Sequence, residues 1–384
     1  MPASRADKLR RPVSPQRSSR RPTVVTVVGA RPQFVKLAPL SRALRRHVRE
    51  VLVHTGQHYD REMSDVFFSE LALPAPDRHL GVGSGPHGAM TGRMLEALEA
   101  VLVEEAPALV VVLGDTNSTL AGALAAAKLG LPVAHVEAGL RSFDLRMPEE
   151  INRRLADHVS TLLFCPTPTA VRNLAREGIR RGVHRVGDVM ADAVRAWRPR
   201  AQKRPWTIEG IAPGGYYLAT VHRQENTDDP ARLAAVLGAL SSLRHPTVLP
   251  LHPRTARRLE AHGLKAGGLV RVLPPQPYLE MLRLQSGARA ILTDSGGMQK
   301  EAYLLGTPCI TLRETTEWVE TLRGGANRLA GADPRRIARA VAAVERKRPR
   351  WDPRRTYGDG RTAERIATIV AAWLRARAGG RPLD

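Results

Sequence analysis

The stretch Ala108-Leu-Val-Val-Val-Leu113-Gly-Asp115, followed by the Ala-rich run from Asn117 to Leu129 and then Pro132-Val-Ala-His-Val136-Glu137, decides the fold. Both apolar runs are short and β-branched, and each is followed at once by a Gly or a carboxylate, the pattern of buried parallel strands. The run between them is a helix, so the unit reads strand, helix, strand, with Asp115 and Glu137 just past the two strand ends. In open α/β sheets the rim at the carboxyl ends of the strands is where ligands bind. A few residues on, Pro148-Glu-Glu-Ile-Asn-Arg153 opens another helix and puts Glu149 and Arg153 at i,i+4 on one face. Taken singly, Asp115 reads equally well as a helix cap, and Glu149 with Arg153 as a surface ion pair. Three carboxylates beside strand ends point to acid/base chemistry on a bound substrate.

Upstream, Thr23-Val-Val-Thr-Val-Val28 is a buried strand, followed by Gly29-Ala-Arg-Pro-Gln33 and an amphipathic helix through about His47. A dinucleotide-binding fingerprint belongs at this turn, but Arg31 and Pro32 stand where further glycines are needed, which argues against a nicotinamide cofactor. Pro32 suits the first turn of a helix, and Arg31 and Lys36 bring two cations near its N-terminus, suited to an anionic substrate or to salt bridges. A strand at Val51–Val53, the loop His54-Thr-Gly-Gln-His58-Tyr59, a helix through about Leu71 and another from His87 to about Glu105 lead into the opening unit. Thr161–Cys165 and Val183–Val186 continue the alternation of strand and helix, which predicts a doubly wound parallel sheet.

From Arg198 to Gly215 the composition shifts to Arg, Pro and Gly without periodicity, the mark of a linker. Strand-like runs at Tyr216–Val221, Thr247–Leu251, Leu269–Leu273, Ala288–Leu292 and Pro308–Leu312 then describe a second α/β sheet. Within it, Thr293-Asp-Ser-Gly-Gly-Met-Gln-Lys-Glu301 follows a strand and opens a helix. Gly296 and Gly297 let backbone approach a ligand, and the helix end at Ser295 presents free N–H groups, together a phosphate seat. Glu301, about 9 Å further along the axis, is placed to accept bonds from ribose hydroxyls. His222 and His252 sit just past strands on the same rim, where a histidine serves structure or catalysis. The final helix, about Arg361 to Arg377, carries Ile366, Ile369, Val370, Trp373 and Leu374 at helical spacing, a core stripe that packs back across the linker. The predicted organisation is a disordered basic arm at 1–22, a Rossmann-like domain at 23–200, a second at 201–360 and the packing-back helix at 361–384.

A hydrophobic content of 43% over 384 residues is enough for two such cores. No apolar run reaches the length of a membrane span and no hydrophobic stretch follows the basic N-terminus, so a cytoplasmic protein is expected. Cys165 and Cys309 lie inside strand-like runs and read as buried free thiols, with no metal-ligand spacing. A net charge of +22 raises nucleic-acid binding, but aromatics are only 4%, without basic-aromatic interleaving, and the excess is mostly Arg spread over helices and tails. Residues 1–22 alone hold seven Arg or Lys against one Asp. The charge reads as a solvated basic surface suited to acidic ligands.

Two α/β domains, the first bearing cations and carboxylates and the second a phosphate seat, describe a nucleotide-sugar enzyme of the GT-B shape. From about Thr23 to the C-terminal helix the chain resembles the non-hydrolysing UDP-N-acetylglucosamine 2-epimerases. The matching stretches are Gly29-Ala-Arg-Pro, Gly114-Asp-Thr-Asn-Ser-Thr, His135-Val-Glu-Ala-Gly-Leu-Arg141, Pro148-Glu-Glu-Ile-Asn-Arg153, Val221-His-Arg and Thr293-Asp-Ser-Gly-Gly-Met-Gln-Lys-Glu-Ala302. The resemblance implies interconversion of UDP-GlcNAc and UDP-ManNAc by elimination of UDP to a 2-acetamidoglucal and re-addition, with no metal or other cofactor, by a homodimer whose partner is the UDP-sugar. It carries over Asp115, Glu137 and Glu149 as acid/base candidates, with Lys36, Arg153 and His222 beside them. Arg31, Lys36, His58, Arg141, His222, His252, Gln276, Ser295, Gly296, Gly297, Glu301 and Arg313 become substrate- or UDP-binding positions.

Two departures bear on the substrate. The loop Gly56-Gln-His-Tyr-Asp-Arg-Glu-Met63 is longer than in well-known members, where neighbouring glutamines bind an activating second substrate molecule. In Thr316-Glu-Trp-Val-Glu320, Trp318 stands where those members have Arg, and with Gly187-Asp-Val-Met and Leu251-His-Pro-Arg-Thr this resembles the branch that epimerises a UDP-2,3-diacetamido-2,3-dideoxyglucuronate. A sugar-transferring GT-B enzyme would share the phosphate seat but needs no three carboxylates around C2. A basic nucleic-acid-binding protein would use the Arg surface and ignore the cleft.

Overall fold

The structure, a computed structural model, describes residues 21–57, 68 and 70–380. The first domain alternates β1 (Thr23–Val28), α1 (Arg31–Leu44), β2 (Arg49–His54), β3 (Arg78–His79), α2 (His87–Glu105), β4 (Leu109–Leu113), α3 (Asn117–Lys128), β5 (Val133–Val136), α4 (Pro148–Val159), β6 (Leu162–Cys165), α5 (Pro168–Arg176), β7 (Val183–Arg185) and α6 (Val189–Gln202). The second runs β8 (Tyr217–Thr220), α7 (Gln224–Thr227), α8 (Pro230–Ser241), β9 (Thr247–Pro250), α9 (Pro253–Ala261), β10 (Val270–Leu273), α10 (Tyr278–Gly287), β11 (Ile291–Thr293), α11 (Gly296–Leu305), β12 (Cys309–Thr311), a 3-10 segment (Val319–Gly325), β13 (Asn327–Leu329) and α12 (Pro334–Arg346). Helices α13 (Pro353–Tyr357) and α14 (Thr362–Ala378) close the chain.

Every strand pairing is parallel. The first sheet has the order β3-β2-β1-β4-β5-β6-β7 and the second β10-β9-β8-β11-β12-β13. Both are doubly wound, so each has one point where the strand order reverses and a crevice opens at the carboxyl ends: between β1 and β4, and between β8 and β11. The central strands are buried on both faces, as β4 with its Leu-Val-Val-Val-Leu run shows. Proline in the first turn starts α4, α5, α8, α9, α12 and α13, and side chains of Thr167, Asp229, His252, Asp333 and Asp352 cap the last five of these. Cys165 and Cys309 are buried free thiols on β6 and β12.

Strands β3 and β13 carry no apolar run. β13, Asn-Arg-Leu, is an edge strand whose buried Asn327 accepts from Thr311 Oγ1 at 2.7 Å, and β3 is only two residues. Among the described residues no helix is long and apolar enough to cross a membrane.

Helix α6 ties the domains together. Its Val189, Met190, Ala193, Val194 and Trp197 share a core with α1 on one side and with Tyr278, Leu279, Leu282 and Leu305 of the second domain on the other. The final helix joins that core through Ile366, Val370 and Leu374, beside Leu37 and Leu40 of α1. Helix α14 therefore packs on the domain that opens with β1. Ile366 is fully buried there, so Ile366→Ala should cost about 2–5 kcal/mol of stability, the usual range for truncating a packed aliphatic side chain. Urea denaturation measures it; a loss below 0.5 kcal/mol would mean that α14 does not contribute to this core.

Candidate active site

The two crevices face each other, and the groups that meet between them come from turns after β1, β4, β5, β8 and β11. Gln33 shapes the first of these turns. Its side-chain oxygen accepts from the backbone of Gly29 and Ala30 at 2.8 and 2.9 Å, while its amide donates to Leu113 O at 2.8 Å, stitching the end of β1 to the end of β4. Gly29 has no alternative here, because a Cβ would collide with the hydroxyls of Thr55 and Ser118, themselves bonded at 2.8 Å.

After β4 comes Asp115, whose carboxylate accepts from Arg153 at 2.5 Å with its side chain 31% exposed. After β5 comes Glu137, in a left-handed conformation at φ +73°, a backbone state that non-glycine residues hold only where surroundings impose it. One carboxylate oxygen pairs with Lys36 of α1 and the other with Lys300 of α11, which also donates to Asp188 at 2.7 Å. All four groups are buried. Burial alone would raise the Glu137 pKa, but Lys300 and Lys36 outweigh it and hold the carboxyl down to about 2. Burial raises Asp188, against the pull of Lys300. Behind them His135 is bonded to Gly114 O and to Asp157, both at 2.7 Å, which fixes the Gly114–Asp115 turn from below.

Helix α4 crosses the rim and presents Glu149 to the second domain, where Arg223 donates to it at 2.8 Å with the Glu149 side chain 32% exposed. Asp294, after β11, accepts from the backbone of His222 and Arg223 at 2.9 to 3.1 Å and from Asn226, setting the turn after β8. The His222 ring lies 5.4 Å from that of His252, which caps α9. Ser295 caps α11, and the free N–H groups at Gly296 and Gly297 open toward the cleft, a seat for a phosphate group. Glycine is required at 296, since a Cβ would collide with the Glu317 carboxylate. Burial raises Glu317, but Arg313, Arg153 and Arg223 outweigh it and lower its pKa to about 2; Arg313 donates to it at 3.0 Å. Among the described residues no group of three His, Cys, Asp or Glu side chains is arranged to hold a metal ion.

The geometry thus gathers Lys36, Asp115, Glu137, Glu149, Arg153, His222, Ser295, Gly296, Gly297 and Arg313 around the two facing crevices. His252 sits beside His222. Gln276 lies beyond β10, its amide donating to Pro274 O at 2.7 Å. Glu301 is buried on α11, where Gln285 donates to it at 2.6 Å. His58, residues 1–20 of the basic arm and the side chain of Arg31 lie outside the described ones.

One expectation is corrected and one alternative reading is excluded. Arg141 is fully buried and donates to Asp157 at 2.7 Å and to Glu177 at 2.8 and 2.6 Å, so its guanidinium is used up inside the fold and offers nothing to a ligand. Glu149 and Arg153 do not pair: Arg153 turns inward to Asp115 and to Glu150 at 2.9 Å, while Glu149 turns outward to Arg223. The helical face at i,i+4 is split because one side of α4 packs on the sheet and the other looks across the cleft. Lys300, Asp188, Asp294, Glu317 and Arg223 had no role assigned from sequence, although each stands inside a stretch quoted above. Apart from Arg313, four residues from Glu317, and the Met190 N–H that Asp188 caps, the hydrogen-bond partners of these side chains lie 68 or more residues away, and local patterns carry no such signal.

Comparison with known proteins agrees with this arrangement. The family model of UDP-N-acetylglucosamine 2-epimerase matches residues 42–371. The UDP-2,3-diacetamido-2,3-dideoxy-D-glucuronate 2-epimerase of Pseudomonas aeruginosa is 48% identical over 91% of this chain and 99% of its own length. The UDP-N-acetylglucosamine 2-epimerase of Methanocaldococcus jannaschii is 43% identical over 90% of this chain and 97% of its own. The crystal structure of the latter organism's UDP-GlcNAc 2-epimerase in complex with UDP-GlcNAc and UDP superposes with a TM-score of 0.84, at 42% identity, covering 91% of this chain and 99% of that one.

Burial lifts the Glu301 carboxyl to about 7, above its unfolded value near 4.3. Between those two values the unfolded chain gives up this proton while the folded chain keeps it, so Glu301 makes stability fall as pH rises from about 4.3 to 7, by roughly 3–4 kcal/mol. Glu301→Gln removes the titration. Urea denaturation of both proteins from pH 4.5 to 8 should show the variant gaining on the wild type as pH rises, with the difference levelling off above pH 7; parallel curves would refute the shift.

Proposed function

This chain belongs to the UDP-N-acetylglucosamine 2-epimerase family and is a UDP-sugar 2-epimerase, an isomerase; from that premise we infer that it interconverts UDP-GlcNAc and UDP-ManNAc. The observation that carries the reading is the pairing of two partly exposed carboxylates, Asp115 and Glu149, with a phosphate-seating helix end across the cleft.

The C2 hydrogen of the sugar has no adjacent carbonyl, so its removal alone would leave an unstabilised carbanion. Elimination avoids that: a carboxylate takes the C2 proton, the electron pair of the C–H bond forms the C1–C2 double bond, and the C1–O bond breaks to release UDP. Re-addition of UDP to C1, with protonation of C2 from the opposite face, gives the epimer. Two acid/base groups are needed, one for each face. We assign these steps to Asp115 and Glu149. Glu137, with both oxygens held by ammonium groups and its pKa lowered to about 2, orients Lys36 instead. The departing UDP gathers negative charge, which the α11 N-terminus, His222 and Arg313 would receive, each such donor typically worth about 3 kcal/mol. On this reading the enzyme is a cytoplasmic homodimer that needs only its UDP-sugar, without metal, nicotinamide or nucleic acid.

A second reading has its own support. The 48% identity to a diacetamido-glucuronate epimerase, together with Trp318 in the Thr-Glu-Trp-Val-Glu segment, favours a substrate bearing a C6 carboxylate. Incubation in D₂O separates the two. UDP-GlcNAc should gain deuterium at C2 and form UDP-ManNAc; exchange confined to the diacetamido uronate would select the second substrate, and exchange with neither would overturn both. Asp115→Asn should slow C2 exchange by about 10²–10⁴-fold while leaving UDP affinity, measured by calorimetry, within a small factor of wild type. Loss of folding instead would mean that Asp115 serves the turn and its ion pair with Arg153.

A further inference from the structure

One buried cation has no part in the chemistry described so far. Lys300 belongs to α11 of the second domain, yet its fully buried ammonium lies between two carboxylates of the first, Glu137 after β5 and Asp188 before α6. Trp318, from its own domain, lies over it with the ring centre 4.0 Å away.

We propose that Lys300 is a positioning residue for epimerisation: seated between Glu137 and Asp188, it registers the second sheet on the first and fixes Glu137 against Lys36 and the Gly114 turn that presents Asp115. This role rests on the reading of the site as an epimerase site. Three observations carry it. Glu137 holds a left-handed backbone conformation, which persists only when its surroundings over-determine it, and its two oxygens are bound by one ammonium from each domain. The Gly114 turn is packed on that pair, since a Cβ at Gly114 would stand 3.4 Å from Glu137 Oε2 and 3.7 Å from Lys36 Nζ. Finally, the helix that carries Lys300 begins at the phosphate seat, four residues or about 6 Å along its axis. The phosphate seat and Lys300 therefore share one rigid helix, so the Lys300–Glu137 contact holds the seat in register with the carboxylates of the first domain.

The charged and titratable groups around this cluster are Lys36 on α1, Asp188 and Asp192 at α6, Glu301 on α11 and Tyr357 on α13. Taking away Lys300 alone would strand Asp188, so the informative variant is Lys300→Met combined with Asp188→Asn, which keeps the charge balanced and leaves the Lys36–Glu137 pair. We expect kcat to fall by about 10²-fold, the scale of a misplaced catalytic group, with KM for the UDP-sugar little changed. The acidic limb of the kcat–pH profile should move upward, because Glu137 with one cation instead of two holds its proton to higher pH. Lys300→Arg should recover part of the rate. A double variant with wild-type kcat and an unmoved profile, or one that loses kcat and KM together with an unmoved profile, overturns the proposal.

The wild type is assayed first. If it turns over neither UDP-sugar, the epimerase reading fails, and the fixing of Glu137 is judged without turnover. The Tm deficit of the double variant should then be largest near pH 8 and shrink toward pH 4, as Glu137 takes up a proton and no longer buries a charge. A deficit independent of pH overturns it.

Discussion

A buried chain of charges, Lys36–Glu137–Lys300–Asp188, crosses the interface between the two domains, and the arrangement of the site depends on it. Two ammonium groups and two carboxylates alternate, so the cluster is neutral as a whole. Each ion taken from water costs several kcal/mol, which is recovered only if every member keeps its partners. That makes the cluster a poor source of net stability and a strong source of specificity. A domain orientation that pulled Lys300 away would leave two buried carboxylates sharing a single cation. The hydrophobic contacts of α6 with both domains hold them together over a broad surface, while the charge cluster selects one relative position.

The same division of labour runs through the rest of the cleft. The first domain supplies the carboxylates, on turns stiffened by Gln33, by His135 and by the glycines at 29 and 114. The second supplies a helix end and guanidinium groups, with Asp294 fixing the turn of His222 and Arg223 and with Glu317 balancing Arg313. Ion pairs join the halves at two depths: Glu137 with Lys300 deep in the fold, and Glu149 with Arg223 nearer the solvent. The outer pair is partly screened and can exchange partners when an anionic ligand enters; the inner one is not screened and cannot. A leaving group that gathers negative charge thus departs into a region already rich in cations, while the deep carboxylate stays ionised throughout.

Much of this was legible before any coordinates. The β-branched runs, the Ala-rich helix between two of them and the Gly-Gly turn ahead of α11 each state a local preference that the tertiary structure keeps, because parallel strands buried on both faces have to be apolar throughout. β13 escaped notice because an edge strand needs no apolar run, and its Asn327 is satisfied by hydrogen bonds that come from folding. Arg141 was misread for a related reason. The family resemblance placed it among the ligand-binding positions, but Asp157 and Glu177, which hold its guanidinium, arrive from two other helical segments.

The residue pattern by itself determined the two doubly wound sheets, the rim on which chemistry would occur and the kinds of group found there, since strand burial, helix starts and phosphate-seating turns are all encoded within a few neighbouring residues. The tertiary structure alone decided which charges meet. Glu149 and Arg153, one helical turn apart, face different partners. Lys300 reaches Glu137 across 163 residues, and Asp115 and Glu149 are left partly open while Glu137 is enclosed. Coulombic pairing acts through space, and the distances that set it exist only once two separate hydrophobic cores have brought their rims together.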